Sequence, residues 1–343
     1  MNSMERVLKT LGHEEPDRVP WINLVTMHGA RELGLDIESY FAQGAQVAQG
    51  QIQMQEEFGH DCYYSFFYAP IETEAMGGKV IYRLDGPPNA GPPILHDAVD
   101  IDKFKPPDPK SSPILERVFQ ANQLLSQHAQ GTIPIIGVVM SPFSLPVMQM
   151  GFETYLEILW ERGEAFWQLM EKNKRFCIDW ANAQLASGAN AICFFDPVSS
   201  GTIIPLEHYL ETGYLIAKDT IAQIQGPTAT HFASGSCRKL LGRLPETGTA
   251  IAGVSALEDL GELKEIAAGK ISLLGNLNGI TMMNWSEKEA ETQVRQAIAK
   301  AGRGGGFLLG DNHGEIPIQV PKEVLQAMGK AIRKYGNYPL GAQ

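Results

Sequence analysis

The sequence predicts an α/β fold, a single (β/α)8 TIM barrel with an N-terminal elaboration, as one domain over residues 1–343. Eight short apolar runs rich in Val, Ile and Phe recur along the chain. Each is followed by a stretch whose apolar residues fall three and four apart, the spacing of an amphipathic helix. Eight strands connected in this way close into a barrel more naturally than they extend an open sheet. No internal repeat with a period of about twenty to fifty residues and no low-complexity tract competes with that reading.

In chain order the first strand is "VPWINLV" (Val19 to Val25), and "DIESYFAQGAQVAQGQIQMQEEFG" after it reads as a helix. The second strand is "CYYSFFY" (Cys62 to Tyr68). An interruption follows: "GGKVIYRLDGPPNAGPPILHD" joins a strand-like start to a Pro/Gly-dense turn, and "FKPPDPKSSP" comes soon after. These form the elaboration of the first barrel turns, not a linker between domains. A helix at "ILERVFQANQLLSQHA" leads to the third strand, "IPIIGVVM" (Ile133 to Met140). The long stretch "TYLEILWERGEAFWQLMEKNKRFCIDWANAQLASG" reads as one helix stopping on Gly188. The remaining strands are "NAICFFD" (Asn190 to Asp196), "TATHFA" (Thr228 to Ala233), "AIAGV" (Ala250 to Val254), "ISLLGN" (Ile271 to Asn276) and "GFLLGD" (Gly306 to Asp311). "GRGGGFLLG" lacks phosphate-loop spacing and precedes a strand instead of following one, so it reads as a helix stop with a tight turn.

With 44% hydrophobic and 20% charged residues, 343 residues suffice for a large core. No run of eighteen apolar residues occurs and the N-terminus is charged, so a cytoplasmic protein that neither spans a membrane nor is secreted is expected. Cys62, Cys177, Cys193 and Cys237 are scattered without a CxxC pair, as free thiols in a reducing compartment would be. The net charge of −11 comes without a Lys/Arg cluster, which argues against nucleic acid and for a small molecule or another protein as partner.

In a TIM barrel chemistry gathers at the C-terminal ends of the strands. There the sequence places Asp196, beside Ser199 and Ser200, together with His231, Asn276, Asn278, Asp311 and His313. Each also has a plainer role open to it: a hydrogen-bonded structural histidine, an aspartate capping a turn before Pro197, asparagines forming a Gly-flanked turn. Cys237 opens the helix "RKLLGRL", where a helix N-terminus favours thiolate. Such a thiolate would suit zinc together with His231 and His313; the alternative is a buried, inert cysteine. The aromatic run that ends at Tyr68 would suit a substrate wall or plain core.

The chain resembles the uroporphyrinogen decarboxylase superfamily, and within it the corrinoid-dependent methyltransferases, including the methylcobamide:coenzyme M methyltransferases and related demethylases. The resemblance rests on "EEPDRVPW", "PIETEAMGGKVIYRLDGPPNAGPPI", the "HFASG" after the sixth strand, "GNLNG" and "AGRGGGFLLGDNHGEIPIQVPKEVL", and covers essentially the whole chain. Decarboxylases of the superfamily carry an arginine segment resembling "MRQAGR" and an aspartate that would align with Tyr68. Here only Arg31 of "VTMHGAR" remains, which disfavours decarboxylation of a polycarboxylate.

In the coenzyme M branch a His-x-Cys and a later cysteine bind zinc. His231 matches the first ligand, but Ala233 and His313 stand where the sulfurs would be. The resemblance therefore implies zinc on His231 and His313, with Cys237 as a weaker third ligand or Asp311, Glu315 or Asp196 supplying oxygen, and an oxygen-bearing substrate. Taken with the strand-end positions, it points to Asp196, His231 and His313 as catalytic groups and to Tyr68, Asn276, Asn278 and Asp311 at the substrate. It further implies a small-molecule methyl donor or acceptor and a corrinoid carried by a separate partner protein. A tetrapyrrole decarboxylase and a non-catalytic tetrapyrrole- or corrinoid-binding barrel are the rival expectations.

Overall fold

The computed structural model describes residues 1–341. Seven parallel strands run in sequence order around the molecule: Tyr63–Tyr64, Ile135–Met140, Ala191–Phe195, Thr228–His231, Ile251–Gly253, Ser272–Leu277 and Phe307–Asp311. The in-order parallel pairing is that of a TIM barrel, with one helix or more between successive strands.

The eighth position is held differently from the expectation. Val19 to Val25 is extended but is not a regular strand; it meets the last strand through one parallel bridge, Trp21 to Leu309. Ile22 N–H donates to Leu309 O (2.8 Å) and Leu309 N–H to Pro20 O (2.9 Å), while Asp61 N–H donates to Trp21 O (2.7 Å) on the other side. Pro20 has no N–H to give, which shortens the ladder. The segment is pinned by a buried ion cluster instead. Asp61 accepts from Arg6 Nη1 (2.7 Å), Arg18 Nη1 (2.7 Å) and Trp21 N–H (2.8 Å). Arg6 belongs to the helix Ser3–Leu11, so the same aspartate ties that helix under the barrel floor. There Met4, Val7 and Leu11 face Ile22, Leu274 and Leu308 across a narrow apolar cavity of about 80 Å³.

The helices follow the apolar spacing, with two breaks. The long helix divides into Phe152–Glu161 and Glu164–Ser187, because Arg162 takes a left-handed φ of 49° before Gly163. The first divides into Ile37–Phe41 and Gly44–Phe58. A Cβ on Gly44 would lie 2.1 Å from Arg117 O, so this glycine lets the second piece pack onto the helix Pro113–Ala129. The elaboration is a two-stranded antiparallel hairpin, Val80–Ile81 with Asn89–Ala90. Among the described residues no helix is long and apolar enough to cross a membrane.

Candidate active site

The chain turns sharply after the Thr228–His231 strand, and the turn determines what the histidine can do. Ala233 has φ 52°, and its N–H comes back to donate to His231 Nδ1 at 3.0 Å. The imidazole lies flat against Phe195, with centroids 4.9 Å apart and planes 6° apart. Gly253 makes room for the ring: a Cβ there would stand 2.6 Å from His231 Cδ2. Burial, then the proximity of His313, pushes the pKa of His231 down to about 4, so the ring is neutral near pH 7. A neutral imidazole that accepts at Nδ1 carries its hydrogen on Nε2.

His313 is set in the same way by Asn312. The Asn312 carboxamide oxygen accepts from Ala256 N–H (3.0 Å), and its nitrogen donates to Leu277 O and to His313 Nδ1 (3.0 and 2.8 Å). The two backbone partners fix which end of the amide is which, so the hydrogen of the neutral His313 ring also lies on Nε2. Burial lowers the pKa of His313 too.

Two carboxyls complete the loop. Asp311 Oδ2 accepts from His313 N–H at 2.8 Å, and burial raises its pKa to about 7. Glu315 Oε1 accepts from Thr26 and Met27 N–H (3.1 and 2.5 Å), and burial, reinforced by Asp311, raises it to about 8. Both carboxyls are therefore substantially protonated near neutrality.

The expected zinc shell does not assemble: among the described residues no three His, Cys, Asp or Glu side chains converge on a possible metal position. Cys237 is the clearest correction. The carboxylate of Glu258 occupies the helix start, accepting from Cys237 N–H, Arg238 N–H (both 2.9 Å) and Ser236 Oγ (2.5 Å). Burial and this carboxylate raise the thiol well above its ordinary value, so Cys237 is an inert thiol, not a thiolate. His231 fits no better. A metal on Nε2 would leave the neutral ring's hydrogen on Nδ1, facing the Ala233 N–H. The residues present do not fit zinc.

Asp196 is buried and engaged by serines: Ser141 and Ser144 Oγ donate to it (2.5 and 2.7 Å), and its N–H donates to His231 O (2.8 Å). Ser144 Oγ in turn accepts from Val198 N–H (3.1 Å), so Asp196 braces two strand-end loops behind His231. The Tyr68 hydroxyl donates to Glu74 Oε2 (2.5 Å) inside a cluster with Phe41, Phe67 and Tyr82. Asn276 Nδ2 donates to Ser255 O and Glu258 O (2.9 and 3.1 Å), and Asn278 Oδ1 accepts from Ile280 and Thr281 N–H (both 3.1 Å). The structure thus brings His231 and His313 together with Asp311 nearby, and gives Asp196, Tyr68, Asn276 and Asn278 to the framework. Sequence reasoning passed over Phe195, Asn312 and Glu258. The first two sit beside candidates already chosen, whereas Glu258 lies in the bend between the Ile251–Gly253 strand and the helix Leu260–Ala267, with no motif to mark it.

The family model described as uroporphyrinogen decarboxylase (URO-D) matches residues 2–335. The chain belongs to the uroporphyrinogen decarboxylase family. Among curated relatives of this family member, the uroporphyrinogen decarboxylase of Actinobacillus pleuropneumoniae serotype 5b is 25% identical over 360 residues, covering 96% of this chain and 98% of its own. That of Methylococcus capsulatus is 26% identical over 295 residues, covering 83% and 82%. Among solved structures a methyltransferase from Methanosarcina mazei superposes with a TM-score of 0.88 at 17% identity, over 98% of this chain and 99% of that one. A B12-independent methionine synthase from Shewanella sp. W3-18-1 gives 0.56 at 15% identity, over 87% and 89%. These likenesses establish the barrel fold and the family.

Proposed function

We propose that this family member is a methyltransferase that moves a methyl group between a small oxygen-bearing molecule and a corrinoid carried by a separate protein. The observation that carries this over decarboxylation is the fate of the two residues a decarboxylase would need. Arg31 donates to the carbonyls of Ile318 and Val320 (3.2 and 3.3 Å), so its guanidinium is engaged by backbone. Tyr68, which the resemblance aligns with the decarboxylases' aspartate, already donates to Glu74. A substrate with many carboxylates would meet neutral imidazoles and protonated carboxyls around His313, where its charge needs cations. The full-length likeness to a protein described as a methyltransferase supports the same reading.

The partner's corrinoid supplies the cobalt that gives or takes the methyl group. This chain's part is to bind the small molecule, orient its methyl group outward and keep water from it. Phe195 holds the His231 ring at one angle, and Asp196 braces the loops behind it. The test mixes the purified chain with a reduced corrinoid protein and a panel of O-methyl compounds, and follows the corrinoid absorbance. The expected result is conversion to the methylated spectrum with at least one compound, only when this chain is present. Absence of any conversion, with release of carbon dioxide from uroporphyrinogen by the same preparation, would establish the decarboxylase reading instead.

A further inference from the structure

The two imidazoles at the barrel mouth share a feature that zinc ligation would not leave. Each Nδ1 is occupied by a donor from the chain: Ala233 N–H at 3.0 Å for His231 and the Asn312 amide at 2.8 Å for His313. Each neutral ring therefore presents an Nε2–H, and neither Nε2 has a hydrogen-bond partner within the described chain. Nor are these two nitrogens sealed in. His28 and His60 have both ring nitrogens buried without partners, but no nitrogen of His231 or His313 is in that condition.

We infer that His231 and His313 are a preset pair of N–H donors for a single electron-rich oxygen of the small molecule, and that the site works without a zinc ion on these rings. The inference deepens the methyl-transfer reading and borrows from it only the oxygen-bearing substrate.

Three features support the donor role. Both rings accept at Nδ1 and so offer Nε2–H, and the His313 loop lies against the Phe195 ring on which His231 stacks, so an oxygen between them that gains negative charge as its methyl group leaves would be stabilised by both. The donors are fixed before the molecule arrives. Phe195 stacks on His231 and Gly253 leaves no slack beside it, while the Asn312 amide is anchored to the backbone of two different loops. A Cβ on Gly314 would come 2.6 Å from Phe195 Cζ, so the His313 loop closes directly over the ring that carries His231.

The departures from the sulfur-ligating relatives acquire a reason here. Ala233, standing where a sulfur ligand would be, supplies the backbone N–H that sets the His231 tautomer. His313 replaces the second sulfur with a donor whose tautomer is set by its own neighbour. What a zinc site would do with a Lewis acid, this site does with two N–H groups.

Glutamine discriminates between the two roles, because its amide nitrogen can stand near the position of histidine Nε2 and donate, yet it is a poor zinc ligand. Zinc affinity of the wild type and of the His231→Gln/His313→Gln variant is measured by competition with a chromogenic chelator. Corrinoid methylation is measured for His231→Ala, His231→Gln and the matching His313 variants. The inference expects equal zinc affinity in wild type and double variant. It expects the alanine variants to lose about 10²-fold in transfer rate and the glutamine variants to stay within about tenfold of wild type. Loss of a tight zinc equivalent in the double variant overturns it, as does glutamine proving as inactive as alanine. The zinc competition reads out whether or not methyl transfer is the reaction, so failure of the functional reading and failure of this inference are separable.

Discussion

The two ends of this barrel treat buried polar groups in opposite ways. At the floor the charge of Asp61 is kept and matched: two guanidinium groups and a backbone N–H converge on one carboxylate, tying the N-terminal helix to the irregular first segment. At the mouth the groups are kept neutral. Asp311 and Glu315 accept only backbone N–H groups, and burial leaves Asp311 about half protonated and Glu315 mostly protonated near pH 7. His231 and His313 are likewise uncharged bases. A matched charge fixes geometry but has no capacity left for a ligand, whereas a neutral donor with a free hydrogen does. The floor holds the barrel together, and the mouth is where something can bind.

Breaking the floor should have the largest effect. Asp61→Ala leaves Arg6 and Arg18 without their shared partner in a buried setting, and should destabilise the protein by about 3–5 kcal/mol, read by urea unfolding. A loss below about 1 kcal/mol would show that the cluster does not pin the first segment.

The mouth should respond to pH instead. The folded pKa of Glu315, about 8, lies above the ordinary carboxyl value of 4.5. Its contribution to stability is therefore full below about pH 4.5 and is lost as pH rises through about 8. Glu315→Gln removes that titration while keeping an oxygen for Thr26 and Met27 N–H. The variant should thus gain on the wild type by about 4 kcal/mol between pH 5 and pH 9 in parallel unfolding curves. A pH-independent difference would show that the carboxyl is ionised in the folded protein.

The smallest effect is expected at Asn278, which the sequence offered as a substrate group and the structure uses as a turn cap. Asn278→Ala should cost about 1 kcal/mol of stability and leave transfer kinetics unchanged. A large rise in KM at unchanged stability would return it to the site.

The barrel itself was legible because its signal is periodic. Seven expected strands appear, the second reduced from Cys62–Tyr68 to Tyr63–Tyr64, and the Pro20 segment lost its regularity altogether, where a missing N–H and a side-chain clamp replace the ladder. The helix breaks near Gly44 and Arg162 were less visible, since the apolar spacing continues through them. Strand-end position places His231, Asp311 and His313 at the barrel mouth, and there the structure has them. Residue type and position were not enough for Cys237, whose state depends on Glu258 twenty-one positions away. Nor do they reveal a tautomer, which is decided by the φ of Ala233 and by the orientation of one amide. Asp196 and Tyr68 carry the right chemistry for a site, and only their partners show it to be spent on the framework.

The ring nitrogens can be observed one by one. Nitrogen-15 spectra of the histidine-labelled protein at pH 7.5, assigned with the two glutamine variants, report which nitrogen of each ring bears hydrogen. The account predicts Nε2–H and bare Nδ1 for both His231 and His313, unchanged when one equivalent of zinc is added. Hydrogen on Nδ1 of either ring, or a zinc-dependent shift at Nε2, would contradict it.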